Sequence, residues 1–204
     1  KAFELKPKHE DTQDVLLKLQ AQSADWTGAR ETLNAKLRHG NLPRDVHKRR
    51  DAVLALSEAR KVFDADQTIE AREAAIEANR LSPDLIPAAV MAAHGYVEQD
   101  QKRYATRVIK KAWDVSPHPD LAAAYAAIEP DEEAKARLKR FIWLTKGQAK
   151  HAESRMLMAE LHMANEDFPE ARRALDDLFE TDPTARSATL MAAIERGEGA
   201  GDTV

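Results

Sequence analysis

Alanine and leucine recur at three- and four-residue spacing through segments of about 12 to 20 residues, and glycine and proline interrupt the pattern between them. That period belongs to amphipathic helices, since strands would alternate every second residue. The breaks fall at Gly40-Asn41-Leu42-Pro43, Ser82-Pro83-Asp84, Ser116-Pro117-His118-Pro119, Glu129-Pro130, Lys146-Gly147 and Asp182-Pro183. Start signals agree: in Asp167-Phe168-Pro169-Glu170 an N-cap Asp is followed by Pro in the first turn and Glu three residues on. Gly40 and Gly147 stand where helices should end. The pattern predicts helices over 10–22 and 26–39, 44–64 and 67–81, 85–99 and 102–115, 120–128 and 132–146, 150–165 and 168–181, and 185–196. No run of alternating β-branched residues competes, so the chain reads as all helix and turn.

The helices repeat in pairs. Ala59 and Ala93, Ala71 and Ala105, Ala78 and Ala112, and Pro83 and Pro117 are each 34 residues apart. A further copy, Ala159, Ala171, Leu178 and Pro183, lies 66 residues after the second, two short of two periods. That leaves room for one degenerate unit around Leu121 to Gly147. A weaker first copy, Trp26 and Ala29 with Leu33 and Leu37, sits 42 residues ahead of Ala71, the extra length falling between Arg44 and Phe63.

A 34-residue helix–turn–helix period is the signature of a tetratricopeptide array. Antiparallel helices approach closely only across small side chains, so Ala59 should face Ala71, and Ala93 should face Ala105. Ala78 and Ala112 leave space for the next hairpin, and the prolines end each second helix. Trp26, Tyr96, Trp113 and Phe168 would fill the wedges between helices. The expected fold is all-α, a tetratricopeptide-like solenoid of helical hairpins wound as a right-handed superhelix, with about five hairpins and a terminal helix. The array should cover residues 1–196. Residues 197–204, with three of the seven glycines, should form a flexible tail. Stability should come from neighbour-to-neighbour burial along the stack.

Charge narrows the functional classes. Lys plus Arg number 31 and Asp plus Glu 35, a net charge of −4 that argues against a general nucleic-acid binder. There is no cysteine, hence no disulfide, thiolate nucleophile or Cys-ligated metal. The longest uncharged run, Leu85 to Val97, has 13 residues where a membrane span needs about 20. The chain starts at Lys1 without a signal pattern and reads as a piece of a longer protein.

Certain stretches resemble the HemY-type tetratricopeptide proteins of bacteria. They are Asp25-Trp26-Thr27-Gly28-Ala29-Arg30, Ser82-Pro83-Asp84-Leu85-Ile86-Pro87-Ala88-Ala89, Arg137-Leu138-Lys139-Arg140-Phe141, His151-Ala152-Glu153-Ser154 and Met191-Ala192-Ala193-Ile194-Glu195. The most specific is Trp113-Asp114-Val115-Ser116-Pro117-His118-Pro119-Asp120-Leu121-Ala122, with Tyr125 following. The resemblance covers most of residues 24 to 200. It implies a bacterial inner-membrane protein, anchored through a helix pair absent from this chain, with its repeats on the cytoplasmic side. It also implies an association with late steps of haem or porphyrin metabolism. It brings no catalytic residue.

First helices of such hairpins line a groove where partners dock. The register places Arg60, Phe63 and Asp64 there, then Val90, His94, Val97 and Glu98, then Met156, Glu160 and Met163. This mixed surface suits a partner peptide or helix, with Arg60 pairing a carboxylate. The expected function is therefore a non-catalytic scaffold for other proteins, haem-pathway enzymes among them, without a cofactor. The alternative is a haem or porphyrin carrier with His94 or a Met as axial ligand.

Other chemistry is poorly advertised. The seven histidines include no His-x-x-x-His and no His-Glu-x-x-His pair, so no metal site is expected. His162 should pack between helices, and His118, between prolines, should brace its turn. Adjacent acids such as Asp176/Asp177, Glu132/Glu133 and Asp64/Asp66 do not converge as acid–base catalysis requires. No glycine-rich phosphate loop exists, and no enzyme is expected. Basic clusters stand at Lys102, Arg103, Arg107, Lys110 and Lys111, at Arg137, Lys139 and Arg140, and at Lys48, Arg49 and Arg50. They read most simply as solvated outer faces, with anionic lipid or an acidic partner as the alternatives.

Overall fold

Small side chains set the helix positions in this protein. A computed structural model describes residues 10–39, 42–64, 68–175 and 178–201. Its helices are α1 (Glu10–Gln22), α2 (Trp26–His39), α3 (Arg44–Asp64), α4 (Thr68–Leu81), α5 (Ile86–Glu98) and α6 (Lys102–Val115). They continue as α7 (Pro119–Ala127), α8 (Ala134–Thr145), α9 (Ala152–Met163), α10 (Phe168–Leu175), α11 (Leu178–Thr181) and α12 (Ala185–Gly201). A 3₁₀ turn at Lys146–Gln148 follows α8. Among the described residues there is no strand. The helical-hairpin fold expected from the repeat is the fold observed.

The chain divides into two compact units, Lys1–Ile109 and Lys110–Val204. In the first, α1 packs on α2, α2 on α3, α3 on α4 and α4 on α5, the succession of a hairpin stack. In the second, α8 packs on α9 and α9 on α10, while α12 covers both α9 and α10. Every small residue of the repeat register is buried: Ala59 and Ala71 are 0% and 3% exposed, Ala93 and Ala105 are 1% and 0%, and Ala78 and Ala112 are 0% and 1%. Ala159 and Ala171 are likewise inaccessible. Around them lie local clusters. Ala55, Leu56, Ala78 and Ala88 pack with Leu85 and Met91 in the first unit. Met156, Leu175, Leu178, Leu190 and Ile194 gather around Ala159 and Ala171 in the second.

Three hairpins turn through one device. Ala24, Asp100 and Glu166 have φ of 55°, 57° and 59°, the left-handed region. In each case the next amide reaches back five residues: Asp25 to the Gln20 carbonyl at 2.9 Å, Gln101 to Tyr96 at 2.8 Å, and Asp167 to His162 at 3.0 Å. This bond satisfies a terminal carbonyl as in a Schellman turn, which normally uses glycine. In two of the three the second helix is then capped at once. Asp25 Oδ1 accepts from the Gly28 amide at 3.0 Å, and Asp167 Oδ1 from the Glu170 amide at 3.3 Å.

The C-terminal end departs from expectation. Residues 197–201, expected to begin a flexible tail, continue α12. A Cβ at Gly197 would lie 2.1 Å from Phe168 Cε1, so this glycine lets α12 sit against the ring. Arg172 on α10 meets Glu198 at 2.6 Å. Contact with α10 thus explains a glycine that by composition alone signals mobility. Residues 202–204 lie outside the described residues.

Charge pairs tie helices together within each unit. In the second, Arg140 donates to Glu132 and, at 2.7 Å, to the Tyr125 carbonyl, with its guanidinium 4.3 Å from the Tyr125 ring centroid. Burial alone would push the Glu132 carboxyl up. The charges and hydrogen bonds of Arg140 and Arg137 outweigh it and hold the carboxyl below its ordinary value.

Three expectations follow for stability. Ala59→Leu or Ala93→Leu should cost about 1–3 kcal/mol by overpacking, whereas Ala123→Leu, at an exposed site, should be near neutral in chemical denaturation. Asp100→Gly and Glu166→Gly should each stabilise by about 1 kcal/mol through relief of the left-handed backbone, read as a higher Tm. The folded Glu132 carboxyl sits below its unfolded value, so its contribution is present above pH 4.5 and lost as pH falls through the depressed folded value. Glu132→Gln should therefore lower stability at neutral pH by about 1–2 kcal/mol and flatten its decline in acid titrations followed by circular dichroism.

Candidate functional site

The cleft between the C-terminal part of α3, α4 and α5 takes its shape from missing side-chain bulk. On α4, Ala71 and Ala75 are buried at 3% and 1% exposure, leaving a low apolar floor. On α5, Val90, Met91, His94, Gly95 and Glu98 share one face at three- and four-residue spacing. With Arg60 and Arg72 these residues line a cavity of about 360 Å³. Gly95 is buried, and a Cβ there would lie 3.2 Å from Arg72 Cγ, so the α5 backbone rests against the Arg72 stem. The guanidinium end of that side chain meets Glu98, Nε to Oε2 at 2.7 Å. Arg60 and His94 are exposed at the rim.

Four sequence-predicted residues, Arg60, Val90, His94 and Glu98, therefore come together. Val97 is half-buried on α5 but does not line the cavity. Phe63 and Asp64 have helical backbone in α3, and their side chains lie outside the described residues.

Met156, Glu160 and Met163 do not line this cleft. They belong to the other unit, where Met156 is 8% exposed within the core cluster and Met163 packs against it. Glu160 receives Arg186 of α12 at 2.9 Å, and the same arginine holds Glu153 at 2.8 Å. The physical reason is α12: it lies across the face of α9 that the repeat register leaves open, and methionines there become packing.

Arg72 went unseen because second helices were not expected to reach the groove. A signal existed. Arg72 follows Arg30 by 42 residues, the offset that relates Ala71 to Ala29. The two arginines have different surroundings. Arg30 donates to Asp51 at 2.7 Å and Glu77 at 2.5 Å and lies 3.6 Å from Glu58, joining α2 to α3 and α4. The hydrogen bond to Asp51 leads the effects that drive its pKa far upward. Among the described residues Arg72 pairs with Glu98, and it lines the cleft.

Three histidines hold structure through hydrogen bonds. His118 Nδ1 accepts from the Asp120 amide at 3.1 Å and caps α7, the brace expected of it. His151 caps α9 in the same way through Glu153. His47 Nε2 meets Asn34 Oδ1 at 2.9 Å. His162 is half-buried, with Nδ1 3.7 Å from Asp167 Oδ2. Among the described residues no group of three or more His, Cys, Asp or Glu could hold a metal ion. Nor is any described helix long and apolar enough to cross a membrane.

Residues 132–194 match the tetratricopeptide repeat family. No curated protein matches the chain. Among solved structures it is similar to YrrB, a tetratricopeptide protein described as having an unusual peptide-binding site, at 14% identity over 94% of this chain and 95% of that one, TM-score 0.43. It is also similar to a tetratricopeptide repeat protein from Parabacteroides merdae at 16% identity over 97% of this chain and 76% of that one, TM-score 0.42.

Proposed function

We propose that the chain, all-helical and carrying tetratricopeptide-repeat sequence at 132–194, is a non-catalytic interaction scaffold that holds an apolar segment of a partner protein in the α3/α4/α5 cleft. The observation that carries this reading is the cleft's chemistry. An apolar floor of Ala71, Ala75, Val90 and Met91 is ringed by Arg60, Arg72, His94 and Glu98, which suits a hydrophobic anchor flanked by polar groups. Arg60 supplies a charge for a partner carboxylate, and the Arg72–Glu98 pair supplies both a donor and an acceptor. The finer reading rests on the stretches shared with HemY-type proteins: the partners are enzymes of haem biosynthesis, and the repeats work at the cytoplasmic side of a bacterial inner membrane.

A second reading, tetrapyrrole binding, is favoured by one observation: His94 and Met91 line the same cleft. Both atoms are soft or imidazole ligands of the kind haem iron takes.

Crosslinking from a photoreactive residue placed in the cleft, in the full-length membrane form, tests the scaffold reading. Arg60→Glu and His94→Ala should each reduce recovery of the crosslinked partner about tenfold or more while helicity is unchanged. Unaltered recovery in both variants refutes the cleft assignment. Titration with micromolar haem separates the alternative: a saturable Soret shift removed by His94→Ala establishes a carrier, and lack of saturation ends that reading.

A further inference from the structure

A second cleft lies in the same unit, at the opposite end of α3. Leu17 and Ala21 of α1, Leu33 of α2, and Val53 and Leu54 of α3 form its apolar surface, and its volume is about 360 Å³. Arg50 and Arg60 are ten residues apart on α3, about 15 Å along the helix, so the two clefts do not share a floor. Leu33 is buried at 1% exposure and Val53 is 46% exposed, so the recess runs from a buried leucine to a solvent-facing valine.

The rim is charged, and its charges are unequally satisfied. Asp14 is taken up by Lys36 of α2, and Arg49 by Asp84 at 2.9 Å, with Ser82 also accepting from Arg49 at 2.8 Å. Lys18 and Arg50 are exposed and have no ion-pair partner among the described residues. Internal pairing thus neutralises the rim acid and one arginine, and leaves two cations flanking an open apolar recess.

We infer that the α1/α2/α3 cleft is a docking site for an acidic amphipathic segment of a partner protein, whose apolar side chains enter beside Val53 and whose carboxylates meet Lys18 and Arg50. Complementarity of both kinds selects this occupant. The apolar floor requires hydrophobic side chains, and the residual rim charge requires anions next to them. An anionic bilayer fits poorly, because a flat surface reaches neither the recessed Leu33 nor a broad cationic face. The Lys48-Arg49-Arg50 cluster of the sequence thereby divides: Arg49 fastens α3 to the turn after α4, and Arg50 faces the cleft.

The test uses a helical peptide with leucines at three- and four-residue spacing flanked by glutamates, and its counterpart with lysines replacing the glutamates. The acidic peptide should bind saturably, weaken as salt rises, and shift the methyl resonances of Leu17, Leu33, Val53 and Leu54. Lys18→Glu/Arg50→Glu should weaken it about tenfold or more and confer binding of the lysine peptide, while Arg103→Glu, an exposed cation outside the cleft, should change nothing. Equal binding of both peptides, no saturation, or methyl shifts confined to Val90 and Met91 overturns the proposal. Capture by vesicles of anionic lipid without peptide binding does so too. These readouts are independent of Arg60 and His94, so this site and the α3/α4/α5 cleft stand or fall separately.

Discussion

Close approach of helices across alanine is the constraint on which the other features depend. Ala59, Ala71, Ala78, Ala93, Ala105 and Ala112 are all buried, and α3, α4 and α5 pack successively on one another around such positions. A leucine at any of these positions would push a helix outward and undo contacts on both sides, because interiors this densely packed do not deform gradually. The same economy of bulk opens the clefts. Ala71 and Ala75 are both seam residues of α4 and the floor between α3 and α5. Scaffold and binding surface are built from one set of positions.

Polar groups then fasten what the alanines bring together. Arg30 joins three helices of the first unit, and Arg140 and Arg186 do comparable work in the second. These arginines are partly buried and hydrogen-bonded to more than one group, where a charge pair is worth more than the marginal sum expected at a free surface. Histidines are spent on caps, as His118 and His151 show, because an imidazole nitrogen at a helix start satisfies an amide that would otherwise lack a partner. Several chemistry-bearing side chains are thus committed to structure. Arg60, Arg72 and His94 line one cleft, and Lys18 and Arg50 line another.

The left-handed turn residues carry a related lesson. Ala24, Asp100 and Glu166 adopt φ values that glycine would adopt without cost, yet none is glycine. Strain of this size is tolerable because the following amide closes the turn and, at Asp25 and Asp167, the next side chain caps the second helix. Two glycines stand elsewhere: at Gly197 a Cβ would collide with the Phe168 ring, and at Gly95 it would press tightly on the Arg72 stem.

Sequence alone determined the helices, most of their limits, the pairing into hairpins and the burial of the alanine register, because periodicity and proline placement are local properties carried by each segment. It also placed Val90, His94 and Glu98 on one face of α5, since their four-residue spacing follows helical geometry. Tertiary structure decided which faces stay open. That α12 covers Met156 and meets Glu160 through Arg186 depends on where a distant helix comes to rest, and no spacing within α9 encodes it. The different fates of Arg30 and Arg72, equivalent in the repeat, were likewise settled by acids arriving from other helices: Asp51, Glu58 and Glu77 for one, Glu98 for the other. Periodicity fixes what a helix offers; only packing fixes what is taken.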